Sequence, residues 1–249
     1  MVSRILAFLT RSKAWYAARS LPEILVYLGL LLLLIGSWGF VELAEEMIEG
    51  GTQGFDDWIL RALRKEGAPQ EPAGPAWLYS FFLNVTALGS GAIAVLVSIV
   101  EMGALALLRR RFSIALIAVS LLGAGALTTV LKGYFGRPRP PVEFRVVEAM
   151  QTSFPSGHAF IAAVLYLTIG ALLTGLVAQR RIKIYIMSVA VILVALIGFS
   201  RVYLGVHYAT DVLGGWCAGV IWAVACSIAA HLLRSGHSRY LNNGERKKR

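Results

Sequence analysis

The chain has 249 residues, of which 57% are hydrophobic and 15% charged, whereas soluble domains carry roughly a quarter charged residues. That composition excludes a soluble globular domain and implies an all-α, polytopic membrane protein. The formal net charge of +10 invites a nucleic-acid reading, but the basic residues sit in short clusters between apolar runs, so no nucleic-acid partner is expected.

Six apolar runs of spanning length follow one another at 24–42, 85–108, 112–132, 157–178, 183–202 and 212–233, each near the roughly 20 residues a bilayer core requires. The first is longer than the core of a signal peptide and no small-residue cleavage site follows it, so it is expected to be retained as a span. Basic residues cluster before the first run (Arg4, Arg11, Lys13, Arg19) and between the second and third (Arg109, Arg110, Arg111). They recur between the fourth and fifth (Arg180, Arg181, Lys183) and after the sixth (Arg234, Arg239, Arg246, Lys247, Lys248, Arg249). With six spans these segments share one side and hold 16 of the 24 Lys and Arg residues. That side is expected to be cytoplasmic, with both termini on it. The expected organisation is one six-helix transmembrane domain over 1–233 and a basic cytoplasmic tail over 234–249, expected to be disordered and, from Asn242 on, to touch anionic lipid.

The opposite side carries the loops 43–80 and 133–156 and the turn 203–211. In the first, Phe55, Trp58, Ile59, Ala62 and Leu63 recur at helical spacing. They predict an amphipathic helix between spans one and two, with Asp56 and Asp57 in its N-terminal turn. It either lies in the outer membrane interface or caps the bundle. Gly215 and Gly219 form a small-xxx-small pair for close helix packing. Glu101 falls inside the second run, near Arg109–Arg111, where a structural or headgroup-directed role is expected. Cys217 and Cys226, nine residues apart in one helix, point apart and are not expected to pair. No cysteine and histidine spacing predicts a metal site.

Three blocks carry chemistry: Lys132-x6-Arg139-Pro140, Pro155-Ser156-Gly157-His158, and Ser200-Arg201-x5-His207-x3-Asp211. Counting spans places all three at the outer mouth of the bundle. The second block opens a helix, where unpaired N–H groups and the positive dipole end favour an anion, or it is an ordinary helix start. His207 and Asp211 face one way at i, i+4, either as a structural hydrogen bond or as a nucleophilic histidine held in one tautomer by a carboxylate. Lys132, Arg139 and Arg201 either reach lipid headgroups or bind phosphate. Arg137 either joins them or faces lipid phosphates.

Taken together, eleven specified positions in these blocks match in order, side and spacing the tripartite signature of the type 2 phosphatidic acid phosphatase superfamily, and the chain is identified as resembling its bacterial integral membrane lipid phosphatases. The resemblance implies that His207 attacks phosphorus to form a phosphohistidine, that Asp211 orients it, and that His158 protonates the leaving oxygen and then activates water. It also implies that Lys132, Arg139, Arg201, Ser156 and the N–H of Gly157 bind the phosphoryl oxygens, with no metal and no cofactor. The expected partners are the bilayer and a lipid phosphate in it: phosphatidylglycerol phosphate, undecaprenyl pyrophosphate or phosphatidic acid. Transfer of the phosphoryl group to another lipid, or binding without catalysis, are the alternatives. The expected location is the cytoplasmic membrane, with the site facing outward.

Overall fold

The structure, a computed structural model, describes residues 21–149 and 152–246, with side chains described for Ile24 and from Val26 to Arg234 within these ranges. The basic residues at 4–19 and 247–249 that helped to orient the chain lie outside the described residues. The elements in order are α1 (Leu21–Glu49), α2 (Gln53–Ala62), a short antiparallel hairpin β1 (Arg64–Lys65) and β2 (Ala68–Pro72), α3 (Ala76–Ala87), α4 (Gly91–Leu107), α5 (Arg111–Phe135), a 3-10 turn (Val142–Phe144), α6 (Gly157–Thr174), α7 (Arg180–Tyr203) and α8 (Ala209–Arg246).

Helices α1, α5, α6, α7 and α8 are each long and apolar enough to cross a membrane. The run expected as one span over 85–108 is instead broken: α3 and α4 meet at an angle of 55°. Hydropathy hides this corner because Leu88 continues the apolar run. Its cause is local. The Ser90 hydroxyl caps α4 by accepting the Ile93 N–H at 3.3 Å, which favours a helix start there. A Cβ on Gly89 would lie 2.4 Å from Ile197 Cγ2 and 3.3 Å from the His158 carbonyl oxygen. The missing side chain therefore lets the corner press against α6 and α7.

Helix α6 is central, packed along α5, α7 and α8, and α1 closes on α8. Helices in a bilayer gain no hydrophobic drive from meeting each other, so close packing of small residues must hold them. Gly215 and Gly219 do this: a Cβ there would lie 2.6 Å from the Ser156 carbonyl oxygen and 2.6 Å from Ala163 Cβ respectively. Large apolar side chains such as Leu34, Trp38, Leu122 and Val130 point outward from the bundle, as lipid contact requires. Cys217 and Cys226 are free. Helix α8 continues in helical form to Arg246, through most of the segment assigned above to a tail.

The predicted amphipathic helix forms as α2, but its apolar stripe is divided. Phe55 and Trp58 are exposed, while Ile59 and Leu63 pack against the cluster of Ala159, Val202, Ala209 and Val212. Leu60 is buried with Phe144 and Tyr208. Asp56, expected in the N-terminal turn of this helix, is fully buried, where it accepts from Arg137 and from the N–H and hydroxyl of Thr210.

Glu101 does not reach toward the Arg109–Arg111 cluster. Its Oε2 is buried, as are Ser98 Oγ, Ser120 Oγ and Thr168 Oγ1, and none of the four has a hydrogen-bond partner. They line one cavity of about 10 Å³ between α4, α5 and α6, the room that about one water needs.

Candidate active site

The site forms where α5, α6, α7 and α8 end on one side of the bundle. Gly136, at φ 57°, closes α5 one turn after Lys132. The stretch after it is not a regular strand, and Arg137 and Arg139 meet different groups. Arg139 Nη1 donates to the Val206 carbonyl at 2.5 Å and lies 3.1 Å from His207 Nε2. Arg137 turns the other way, into a buried pair of carboxylates. Its Nη1 donates to Asp211 Oδ1 at 2.7 Å and its Nη2 to Asp56 Oδ2 at 2.8 Å. Arg137 is thus buried in an ion pair and neither faces lipid phosphates nor joins Lys132, Arg139 and Arg201.

His207 lies in the turn between α7 and α8. Arg64 fixes that turn by donating to the carbonyls of Tyr203 at 2.9 Å and Phe144 at 2.6 Å. Gly205 sits at φ 70°, and a Cβ there would lie 1.9 Å from the Phe144 carbonyl oxygen, so both backbone angle and space require glycine. The His207 ring is buried, with Nδ1 at 3.4 Å from Asp211 Oδ2. A guanidinium only donates, so the 3.1 Å contact of Arg139 with Nε2 places the lone pair on Nε2 and the proton on Nδ1, toward Asp211. Burial pushes the His207 pKa down to about 4, with Asp211 opposing the shift and Arg201 and Arg139 adding to it. The ring is therefore neutral at pH 7, and its free nitrogen is nucleophilic.

Asp211, in the first turn of α8, accepts from four donors. Besides Arg137 and His207 these are the Tyr208 N–H at 2.8 Å and the Ser153 hydroxyl. Hydrogen bonds from this many donors favour a carboxylate over the acid. The backbone ties the second block to the third, because the Ser156 N–H donates to the Asp211 carbonyl at 2.9 Å.

Further donors lie at the same end of the bundle. Lys132 Nζ bonds the Thr152 carbonyl at 2.9 Å while the Thr152 hydroxyl bonds the Lys132 carbonyl at 3.0 Å, which holds α5 to the segment before α6. A Cβ on Gly157 would lie 3.7 Å from Lys132 Cε, so this ammonium stands beside the start of α6. Arg201 Nη1 donates to Thr86 Oγ1 at 2.9 Å. The Arg201 Nε–H and the Ser156 hydroxyl are both buried without a partner. Ser156 takes the N-cap position of α6 but makes no side-chain capping bond, so its hydroxyl remains for another acceptor. His158, half-buried in the first turn of α6, interacts electrostatically with Arg201, His207, Lys132 and Arg139. All eight residues expected at the site, Lys132, Arg139, Ser156, Gly157, His158, Arg201, His207 and Asp211, are thus gathered at one end of the bundle. Ser200 is different: its hydroxyl donates to the Ile197 carbonyl at 2.6 Å within α7.

Sequence reasoning missed Asp56, Thr210 and Ser153. Asp56 accepts the Thr210 N–H at 3.0 Å and the Thr210 hydroxyl at 2.5 Å besides Arg137. Thr210 also accepts from Arg137 Nη1 at 2.8 Å. Nothing in local periodicity could have joined residues 154 positions apart.

With the geometry described, similarity to known proteins can be placed on it. The model of the PAP2 superfamily matches residues 113–234. Phosphatidylglycerophosphatase B of Bacillus subtilis (strain 168) is 36% identical over 186 residues, spanning 73% of this chain and 86% of that protein. The putative undecaprenyl-diphosphatase YbjG of Escherichia coli (strain K12) is 35% identical over 95 residues, or 37% of this chain and 41% of that one. Among solved structures, the transmembrane PAP2 type phosphatidylglycerolphosphate phosphatase from Bacillus subtilis superposes with a TM-score of 0.72 at 26% identity, covering 78% of this chain and 94% of its own. Aquifex aeolicus LpxE gives 0.51 at 25% identity, over 62% and 87%.

Proposed function

The chain belongs to the PAP2 superfamily of membrane lipid phosphatases, and from that premise we propose that it cleaves a lipid phosphate by covalent catalysis on His207. The neutral His207 attacks phosphorus through Nε2 as the bond from phosphorus to the lipid oxygen breaks, and His158 gives that oxygen its proton. His158 then takes a proton from water, which attacks phosphorus and breaks the P–N bond, releasing inorganic phosphate and regenerating the imidazole. Asp211 keeps the Nδ1 proton in place and balances the positive charge that builds on the ring. Lys132, Arg139, Arg201, the Ser156 hydroxyl and the Gly157 N–H take the three phosphoryl oxygens as their charge spreads. Arg139 passes from Nε2 to an incoming oxygen, which frees the nucleophile. The cations supply the neutralisation, so the reaction is metal-independent and needs no cofactor.

One observation carries this reading. The Ser156 hydroxyl and the Arg201 Nε–H are buried without acceptors, in the same site as a neutral His207. Buried donors are ordinarily satisfied, and an anion with several acceptor oxygens would satisfy both.

For the substrate we favour a phosphatidylglycerophosphate, on the relationship to the Bacillus subtilis phosphatase across 86% of its length. Undecaprenyl pyrophosphate and phosphatidic acid are the other candidates. With α3 and α4 taken as one broken span, the chain crosses the cytoplasmic membrane six times, both termini are cytoplasmic and the site faces outward with α2 at that interface. The positive-inside rule supports this reading, since the loops Arg109–Arg111 and Arg180–Lys183 and the segment from Arg234 on carry basic residues at the end away from the site. A cysteine placed in the 133–149 segment should react with an impermeant thiol reagent on intact cells, and the reverse labelling pattern would overturn the topology. The chemical test is phosphate release by the purified protein from a panel of lipid phosphates and pyrophosphates. Free phosphate with phosphatidylglycerophosphate is the expected result. A phosphorylated lipid in its place would make the protein a phosphotransferase, and no product from any member would leave only a binding role.

A further inference from the structure

We propose that Asp56 is a positioning residue of this active site. Acting through Arg137, it keeps one net negative charge behind His207 and holds the Asp211 carboxylate in register. The proposal rests on the reading of His207 as the nucleophile. Asp56 lies on α2, outside the stretch 113–234 matched by the family model and outside all three sequence blocks.

The geometry is a relay of four groups. Asp56 is fully buried and accepts Arg137 Nη2 at 2.8 Å. Arg137 Nη1 bonds Asp211 Oδ1 at 2.7 Å, and Asp211 Oδ2 faces His207 Nδ1 at 3.4 Å. The guanidinium also lies 4.4 Å over the Tyr208 ring, which leaves it little freedom to rotate. Its two terminal nitrogens are therefore committed to two different carboxylates.

The charge balance gives this arrangement a purpose. Were Arg137 paired with Asp211 alone, the pair would be neutral and the orienting carboxylate would exert little field at His207. Asp56 supplies the second carboxylate, so the buried triad retains one negative charge. That charge opposes the cations that act on His207, Arg139 on the stretch after α5 and Arg201 on α7, with Lys132 on α5 next to them. His158 on α6, when it has taken a proton, adds to them. At the phosphohistidine stage the ring carries positive charge in this cationic surrounding, and a net anionic triad behind Nδ1 stabilises it. In the ground state the ring is neutral and gains less. The difference lowers the barrier rather than tightening substrate binding.

A purely mechanical role is the rival, because Asp56 also ties α2 to the start of α8 through Thr210. The two roles separate in kinetics and in charge. Asp56→Asn should lower kcat about tenfold to a hundredfold, the usual scale for a group that orients a reacting group from behind. KM should not rise, because Asp56 touches no substrate. The acid limb of kcat/KM should move to lower pH, since loss of the negative charge makes His207 harder to protonate. In Asp56→Asn with Arg137→Gln, only the Asp211 charge is left, so the net charge returns to its original value. That double variant should regain the position of the acid limb and part of kcat.

The experiment is steady-state kinetics of the full-length protein in detergent with an aryl phosphate, across pH, with thermal unfolding of each variant. His207→Ala runs beside them. Loss of kcat without a rise in KM in Asp56→Asn, with recovery in the double variant, supports the proposal. So does a single variant that fails to fold while the double variant folds. Wild-type kcat and an unmoved acid limb in Asp56→Asn would overturn it. Equal loss of folding in the single and double variants would also overturn it, and would leave Asp56 as a mechanical anchor. If His207→Ala itself stays active, the covalent reading falls first. If His207→Ala is dead and Asp56→Asn behaves as wild type, only the positioning role is refuted.

Discussion

The substitution Asp211→Asn tests how the site holds its nucleophile. The carboxylate is fully buried and meets Arg137 at 2.7 Å on one oxygen, and the Tyr208 N–H at 2.8 Å, Ser153 and His207 on the other. Asparagine keeps the shape but replaces one acceptor oxygen with a donor NH2. If that NH2 faces Arg137, two donors oppose each other and a buried guanidinium loses a partner. Breaking a buried pair from one side costs about 3–5 kcal/mol, softened here because Asp56 still holds Arg137. If the NH2 faces the other way, it opposes three donors, and His207 escapes by moving its proton to Nε2, which destroys the nucleophile. Where a carboxylate orients a histidine, the wrong tautomer costs about 10⁴ in kcat. That is about 5.4 kcal/mol at 1.36 kcal/mol per tenfold. The expected outcome is thus kcat lowered by about 10³–10⁴ with KM little changed, together with a lower unfolding temperature. The assay is initial-rate kinetics on an aryl phosphate plus thermal unfolding. A variant with kcat within tenfold of wild type and an unchanged unfolding temperature would refute the assignment of Asp211.

Three further outcomes follow from the same geometry. Because burial holds the His207 pKa near 4 and only the neutral ring attacks, kcat/KM should persist as pH falls from 7 to 5 and decline as pH falls through about 4. A limb at the ordinary histidine value in a substrate with no titration there would contradict this. His158→Ala should lose far more activity on an alkyl lipid phosphate than on an aryl phosphate with an acidic phenol, since only the alkoxide needs a proton, and equal losses would make His158 a phosphate ligand instead. Activity should survive EDTA and be inhibited by vanadate, which adopts the five-coordinate shape of the transition state. Loss in EDTA restored by Mg²⁺ would end the metal-independent account.

The convergence of the three blocks at one end of the bundle was legible because each of them is a local device. Pro155–Gly157 opens a helix, His207 and Asp211 are four residues apart where α8 begins, and Lys132 ends a span, so chain parity alone brings them to one side. The rest of the site depends on contacts that no local pattern encodes. Asp56 looks like an ordinary acid at a helix start, and only the fold of α2 onto the start of α8 turns it inward. Arg137 and Arg139 are only two positions apart, and no local pattern shows that one meets Asp56 and Asp211 while the other meets Val206 and His207. The corner at Gly89–Ser90 escaped hydropathy because both of its arms are apolar. Glu101 looked directed toward nearby arginines, yet Ser98, Ser120 and Thr168 from three helices surround it, and sequence spacing cannot show that convergence.

The central claim is a covalent bond between phosphorus and His207. Its most direct test is rapid quench of the purified protein with a lipid substrate labelled with ³²P at the phosphoryl group, followed by peptide mapping under alkaline conditions that preserve phosphohistidine. The account predicts transient label on the peptide containing His207 in wild type and more of it in His158→Ala with an aryl phosphate, where release to water is slowed. No label should appear in His207→Ala. Label on His158, or turnover with no protein-bound phosphate at any time, would contradict it.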